Sequence, residues 1–144
     1  MKERYTIDAS VWVAALLPTD THHQSSRDML VRLMAQNAPI ICPTLILPEV
    51  AAAVARNTDR DDLAVQGSES VRDFPGMTLR LLEPDLAMKA ARLAATHRLR
   101  GADAIYVAVA AEEQTVLVTW DAEMHTRGAA TVRTTTPDEL LALP

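Results

Sequence analysis

Short β-branched runs alternate along this chain with longer stretches in which apolar residues recur every three or four positions. The runs "RYTI" (residues 4–7), "PIIC" (39–42), "LRLL" (79–82), "TVLVT" (115–119) and "ATVRT" (130–134) predict strands. Between and after them, helices are predicted over 11–17, 25–36, 44–57, 60–74, 84–97, 102–114 and 137–143. A parallel neighbour can be reached only by a long connection, so strands separated by helices imply βαβ crossovers and a parallel sheet covered on both faces. The expected class is α/β. The most polar stretch, residues 57–76, carries a thin apolar stripe of Leu63, Val71 and Phe74 and is weakened by Gly67, so its helix is expected to project from the body.

Composition narrows the picture. With 144 residues, 49% of them hydrophobic, the chain is long enough to bury one core, and a single domain over residues 1–144 is expected. No internal repeat, low-complexity tract or break in composition marks a second domain. A formal net charge of −5 argues against a duplex binder that neutralises many phosphates through a broad basic surface, so any nucleic acid contact must be local or metal-assisted. Cys42, the one cysteine, lies in the apolar run "APIICP" and reads as a small buried thiol. A reducing cytoplasm fits it. The charged start "MKERYTIDAS" runs straight into a strand, and no apolar stretch reaches the roughly 18 residues of a membrane span, so neither an export signal nor a membrane segment is expected.

The acids carry the chemistry. In a doubly wound parallel sheet, ligands collect beyond the carboxyl ends of the strands, where the strand order reverses. Asp8 follows "YTI" at once, and Asp121 follows "VLVT" with only Trp120 between. Taken singly, each reads first as a helix cap or turn residue. Glu49 lies about one and a half turns into its predicted helix "TLILPEVAAAVAR", where side chains lean back toward the N-terminus; its flanks are nearly all apolar, and its stripe holds only one other polar residue, Arg56. Asp103 stands in the first turn of the apolar helix in "RGADAIYVAVAA", either as a cap or as a site residue. Four carboxylates from four segments at one sheet edge repel one another unless a cation or a shared proton compensates. Their all-oxygen chemistry suits Mg²⁺ or Mn²⁺, with no Cys or His pair at zinc spacing beside them, and such a site hydrolyses phosphodiesters.

These motifs resemble those of PIN-domain nucleases, and in size and layout the chain is similar to the VapC-type toxins of bacterial toxin–antitoxin pairs. The resemblance rests on "IDASVWVAALL", "LPEVAAAVAR", "LRGADAIYVAVA" and "VLVTWDAEM", in that order over essentially the whole chain. It implies a PIN-like α/β/α sandwich around a parallel sheet of about five strands, with an acidic Mg²⁺ or Mn²⁺ pocket that cleaves RNA. Asp8, Glu49, Asp103 and Asp121 become the metal-site and catalytic acids, with Ser10 and Thr119 as supporting hydroxyls. Two positions depart from the pattern: Trp120 stands where a small, polar or basic residue is frequent, and Glu123 stands where a further acid is often Asp. Glu123 either makes a water-mediated metal contact or is an ordinary turn acid, the second being preferred.

Other candidates are weaker. His22 and His23 are adjacent, so their side chains diverge, and a surface role is expected. His97, Arg98 and Arg100 either rim the pocket or answer the dipole of a helix C-terminus. Trp120 either stacks on a base or packs. The expected function is a metal-dependent endoribonuclease toxin, with RNA as substrate, an antitoxin as partner, no membrane and a homodimeric state. The alternatives are a housekeeping PIN nuclease, a non-catalytic PIN scaffold and a small metal-dependent phosphatase. Four mutually repelling carboxylates argue against the scaffold, and "DAS" after the first strand lacks the second aspartate a phosphatase of that kind would use.

Overall fold

The computed structural model describes residues 2–144. Five strands, β1 (Tyr5–Ile7), β2 (Ile40–Pro43), β3 (Met77–Arg80), β4 (Val116–Val118) and β5 (Thr134–Thr135), form one sheet in the order β3-β2-β1-β4-β5. Every pairing is parallel, and Tyr5 is in register with Ile40 on one side and Val116 on the other. The helices are α1 (Ala9–Leu16), α2 (His23–Ala35), α3 (Ile46–Thr58), α4 (Asp61–Arg72), α5 (Pro84–His97), α6 (Gly101–Glu113), α7 (Ala122–Gly128) and α8 (Pro137–Leu141). The chain winds outward from β1 to β3, returns through α5 and α6 to β4, and continues outward the other way to β5. Right-handed crossovers therefore place α1 to α4 on one face and α5 to α7 on the other, giving the α/β/α sandwich.

The core lies against the central strands. Ile7, Ile40, Leu117 and Val118 are fully buried, and α6 crosses β1, β2 and β4 with Ala104 and the run from Tyr106 to Ala110 inaccessible. A helix apolar all round belongs in such a place. Cys42 is buried as expected, and burial pushes its thiol up to about 12. Among the described residues, no helix is long and apolar enough to cross a membrane.

Three expectations are corrected. The third strand begins two residues earlier than predicted, because Gly76 (φ 84°) turns the chain there and its carbonyl accepts from the Ile40 N–H at 3.0 Å. A Cβ on Gly76 would stand 2.6 Å from the Ala38 carbonyl oxygen, which only glycine avoids. Leu81 and Leu82 consequently run past the sheet and are exposed. The last strand shrinks to two residues, since 130–133 are taken up by the turn after α7, a helix the pattern did not predict, and Thr136 then opens α8 through a reciprocal capping box with Glu139. Finally, α4 does not project. It packs along α3 with Ala64, Gly67 and Val71 buried, and the bare Gly67 lets Leu16, Val50 and Val54 approach. Phe74 meets Trp12 edge-on at 5.1 Å.

Candidate active site

The reversal of strand order falls between β1 and β4, and the residues just beyond their carboxyl ends build the site. Asp8 continues the ladder by donating its backbone N–H to Val118 O at 3.0 Å, then starts α1. It holds the N-cap position of α1, but its side chain makes no cap. Instead Oδ2 accepts from Ser10 Oγ at 2.7 Å and from Thr119 Oγ1 at 2.8 Å. At 6% exposure the carboxyl is desolvated, which raises its pKa, while the two hydroxyls pull it back. Each hydroxyl is anchored in turn: Ser10 Oγ accepts from Trp120 N at 3.1 Å, and Thr119 Oγ1 from Asp121 N at 3.0 Å.

Asp121 is a true cap, its Oδ1 accepting from Met124 N at 2.8 Å at the start of α7. Its Oδ2 accepts from Arg100 Nη2 at 2.6 Å. The same guanidinium donates through Nε to Asp103 Oδ2 at 2.9 Å. Asp103 therefore is not a cap: it lies inside the first turn of α6, whose N-cap position is Arg100. Burial raises its pKa, Arg100 opposes that, and the charges of Asp8 and Asp121 raise it further. Glu49, in the first turn of α3, accepts from the Tyr106 hydroxyl at 2.6 Å. Half-burial raises its pKa, the tyrosine lowers it, and Asp8 and Asp103 raise it again. The four acids thus feel one another across the end of the sheet.

Every donor here is oxygen, which fits a hard divalent cation and not zinc. Among the described residues no three His, Cys, Asp or Glu side chains are drawn together at metal-ligand spacing. Two of the four acids, Asp103 and Asp121, are instead bonded to the one guanidinium of Arg100.

The remaining candidates separate cleanly. Glu123 is exposed and pairs with Arg127 at 2.8 Å, one turn along α7. His97 ends α5 and Arg98 is its left-handed C-cap, whereas Arg100 alone of that basic group reaches the acids. His23 Nδ1 lies 2.8 Å from Ala14 O, but His22 stacks on Trp120 with ring centroids 3.8 Å apart. The sequence pattern gave no sign of Tyr106, which reads as core within an apolar helix and yet supports Glu49.

A pH dependence follows. Asp8, Glu49 and Asp103 hold their protons more tightly folded than unfolded, so their contribution to stability is fully present below the ordinary carboxylate range and is lost as pH rises through their folded pKa values. In the metal-free protein, the stability of Asp8→Asn relative to the wild type should therefore grow as pH rises above the ordinary carboxylate range. Thermal melts of both proteins in a chelator check this; a difference that does not grow with pH would show that Asp8 is not under strain.

Solved structures share the fold. The sarcin–ricin-loop-cleaving toxin VapC20 of Mycobacterium tuberculosis superposes with a TM-score of 0.73 at 21% identity, covering 90% of this chain and 98% of that one. PAE2754 of Pyrobaculum aerophilum gives 0.68 at 23% identity, covering 98% and 94%. VapBC2 of Rickettsia felis, bound to a DNA fragment from its promoter, gives 0.71 at 15% identity, covering 92% and 97%. No curated protein sequence matches the chain. The family model of the PIN domain matches residues 5–129, from the first strand through Asp121 to the turn after α7, and the chain belongs to the PIN-domain family.

Proposed function

We propose that the protein is a Mg²⁺- or Mn²⁺-dependent endoribonuclease that hydrolyses RNA phosphodiester bonds and acts in a reducing cytoplasm as the toxin of a toxin–antitoxin pair. What supports this reading is that Asp8, Glu49, Asp103 and Asp121 face the end of the sheet where its order reverses, with Arg100 bonding two of them and the charges of neighbouring acids raising the proton affinity of Glu49 and Asp103. These four would hold the ion, which when bound polarises a phosphoryl oxygen and favours ionisation of the attacking water. Ser10 and Thr119 orient Asp8 and favour its charged form. Tyr106 orients Glu49 and favours its charged form. Arg100, released from Asp103 and Asp121, is placed to pair with a phosphate of the substrate.

The solved VapBC2 neighbour is a complex, and an antitoxin partner is proposed here as well. The expected apolar stripe of α4 is largely used up in packing, and what remains open is a 210 Å³ groove between α2 and α4, walled by Trp12, Leu30, Val31, Met34 and Phe74. A basic amphipathic segment would lay its apolar face there and direct an Arg at the acids. A second copy of the chain has its own apolar surface at Leu81, Leu82 and Met88, so a homodimer belongs to the same reading.

The test is cleavage of a single-stranded RNA by the purified protein, alone and with such a peptide, across a Mg²⁺ titration. Cleavage should require the metal, the peptide should suppress it, and excess Mg²⁺ should partly restore it, because two cations compete for one set of oxygens. Metal-independent cleavage would remove the metal from the reading, and no cleavage would remove the ribonuclease. Inhibition with unchanged metal affinity would place the peptide away from the acids.

A further inference from the structure

Beside the acids lies a second cavity, of 360 Å³, whose walls include Ser10, Asp20, His22, Glu49, Arg56 and Trp120. Trp120 is not loosely placed in it. Its backbone N–H bonds the hydroxyl that holds Asp8, and its indole N–H donates to Ser26 Oγ, a fully buried group, at 2.8 Å. The ring is thus fixed at both ends and its plane is set before any ligand arrives. His22 lies over it, nearly parallel at 10°, with its own outer side exposed. Asp20 Oδ1 accepts from the His22 N–H at 2.8 Å and so steadies the turn that carries the imidazole.

This stack has no core to serve on its outer side. Tyr5, Trp12 and Tyr106 lie within the core, and Phe74 and Trp120 are half-buried against it. Among the described residues, it is the exposed His22 imidazole, backed by Trp120, that offers a ring face to solvent beside the acids. Arg56 lies on the same stripe of α3 as Glu49, two turns farther on, about 10 Å along the axis. It places a positive charge in this cavity on a chain whose net charge is −5.

We infer that this cavity is a nucleoside subsite: it takes one base of an RNA strand on the exposed face of the His22–Trp120 stack, with the neighbouring phosphate paired to Arg56. The inference rests on the ribonuclease reading, in which the reacting phosphate lies at Asp8, Glu49 and Asp103. It adds a place for the nucleotide beside that phosphate. Base stacking tolerates any base and favours large rings, so purines should bind better than pyrimidines.

Trp120 reports on its own occupancy, since the only other indole, Trp12, is buried outside this cavity and supplies a constant background. The experiment titrates the wild-type protein in Mg²⁺ with adenosine 5′-monophosphate, adenosine and ribose 5-phosphate, none of which has a phosphodiester to cut, and follows indole emission. The nucleotide should quench saturably and the base-free sugar phosphate should not. His22→Ala, at an exposed position that does not endanger folding, should weaken the nucleotide roughly tenfold. Arg56→Ala should bring the nucleotide down to the affinity of adenosine. In RNA cleavage, His22→Ala should raise KM and leave kcat nearly unchanged, the signature of lost binding away from the reacting bond. Equal binding of the nucleotide and ribose 5-phosphate, or unaltered nucleotide binding by His22→Ala, overturns the subsite. Nucleotide binding with this dependence in a protein that cuts no RNA would uphold the subsite and remove the ribonuclease reading instead.

Discussion

Asp103→Asn is expected to lower RNA cleavage by roughly a thousandfold or more while leaving the fold intact. The change keeps the size and shape of the side chain and removes its charge. Nothing in α6 depends on that charge for helix initiation, because Asp103 caps nothing; its one strong partner is Arg100, which retains Asp121. The loss therefore falls on the shared site and not on the backbone. Initial rates on a single-stranded RNA in Mg²⁺, beside a circular dichroism melt of the same preparation, decide the matter. A variant that cuts at the wild-type rate, or that fails to fold, would refute the role given to Asp103.

The second large effect is thermal. Saturating Mg²⁺ or Mn²⁺ should raise the melting temperature by about 5–10 °C, since a ligand at a hundred times its Kd stabilises the folded state by about 2.7 kcal/mol and a chain of this size gains a few degrees per kcal/mol. Asp8→Asn should erase the shift. Arg100→Ala should move its midpoint to lower metal concentration, because the guanidinium that now bridges Asp103 and Asp121 is the cation the metal must displace. A flat melting curve at concentrations that support cleavage would count against a shared metal site. An unchanged midpoint in Arg100→Ala would mean that the arginine does not compete.

Much of the architecture was legible from periodicity because the strong elements agree with their surroundings: the all-apolar α6 is the buried helix, and the β-branched runs at β1, β2 and β4 are the central strands. The failures are local. Gly76 sets the start of β3 through one carbonyl and a positive φ, neither of which alters hydrophobic periodicity. In α7, "AEMHTRG" buries only Met124 and Gly128, too little to show a repeat, although Asp121 three residues before Met124 was a readable cap. Asp8 and Asp121 were accessible through the rule for strand ends. Arg100 was legible as one of three basic residues that could rim the pocket, but Tyr106 and the His22–Trp120 stack were not, because their roles depend on partners brought from distant segments, and neither spacing nor composition encodes such meetings.

The pairing of the first strand with the fourth also sets a timetable for synthesis. Asp8 emerges from the ribosome early, but Thr119, which holds its carboxylate, comes 111 residues later. At about 5–20 residues per second, that gap lasts roughly 5–20 s. Throughout it the nascent chain carries Asp8 and then Glu49 without β4 and the Thr119 that follows it, so a stalled or truncated product ending before β4 lacks the completed site. On the proposed reading of a toxin held by an antitoxin, this interval would be a lead time: an inhibitor already made would meet the surfaces of α2 and α4 while the site is still incomplete.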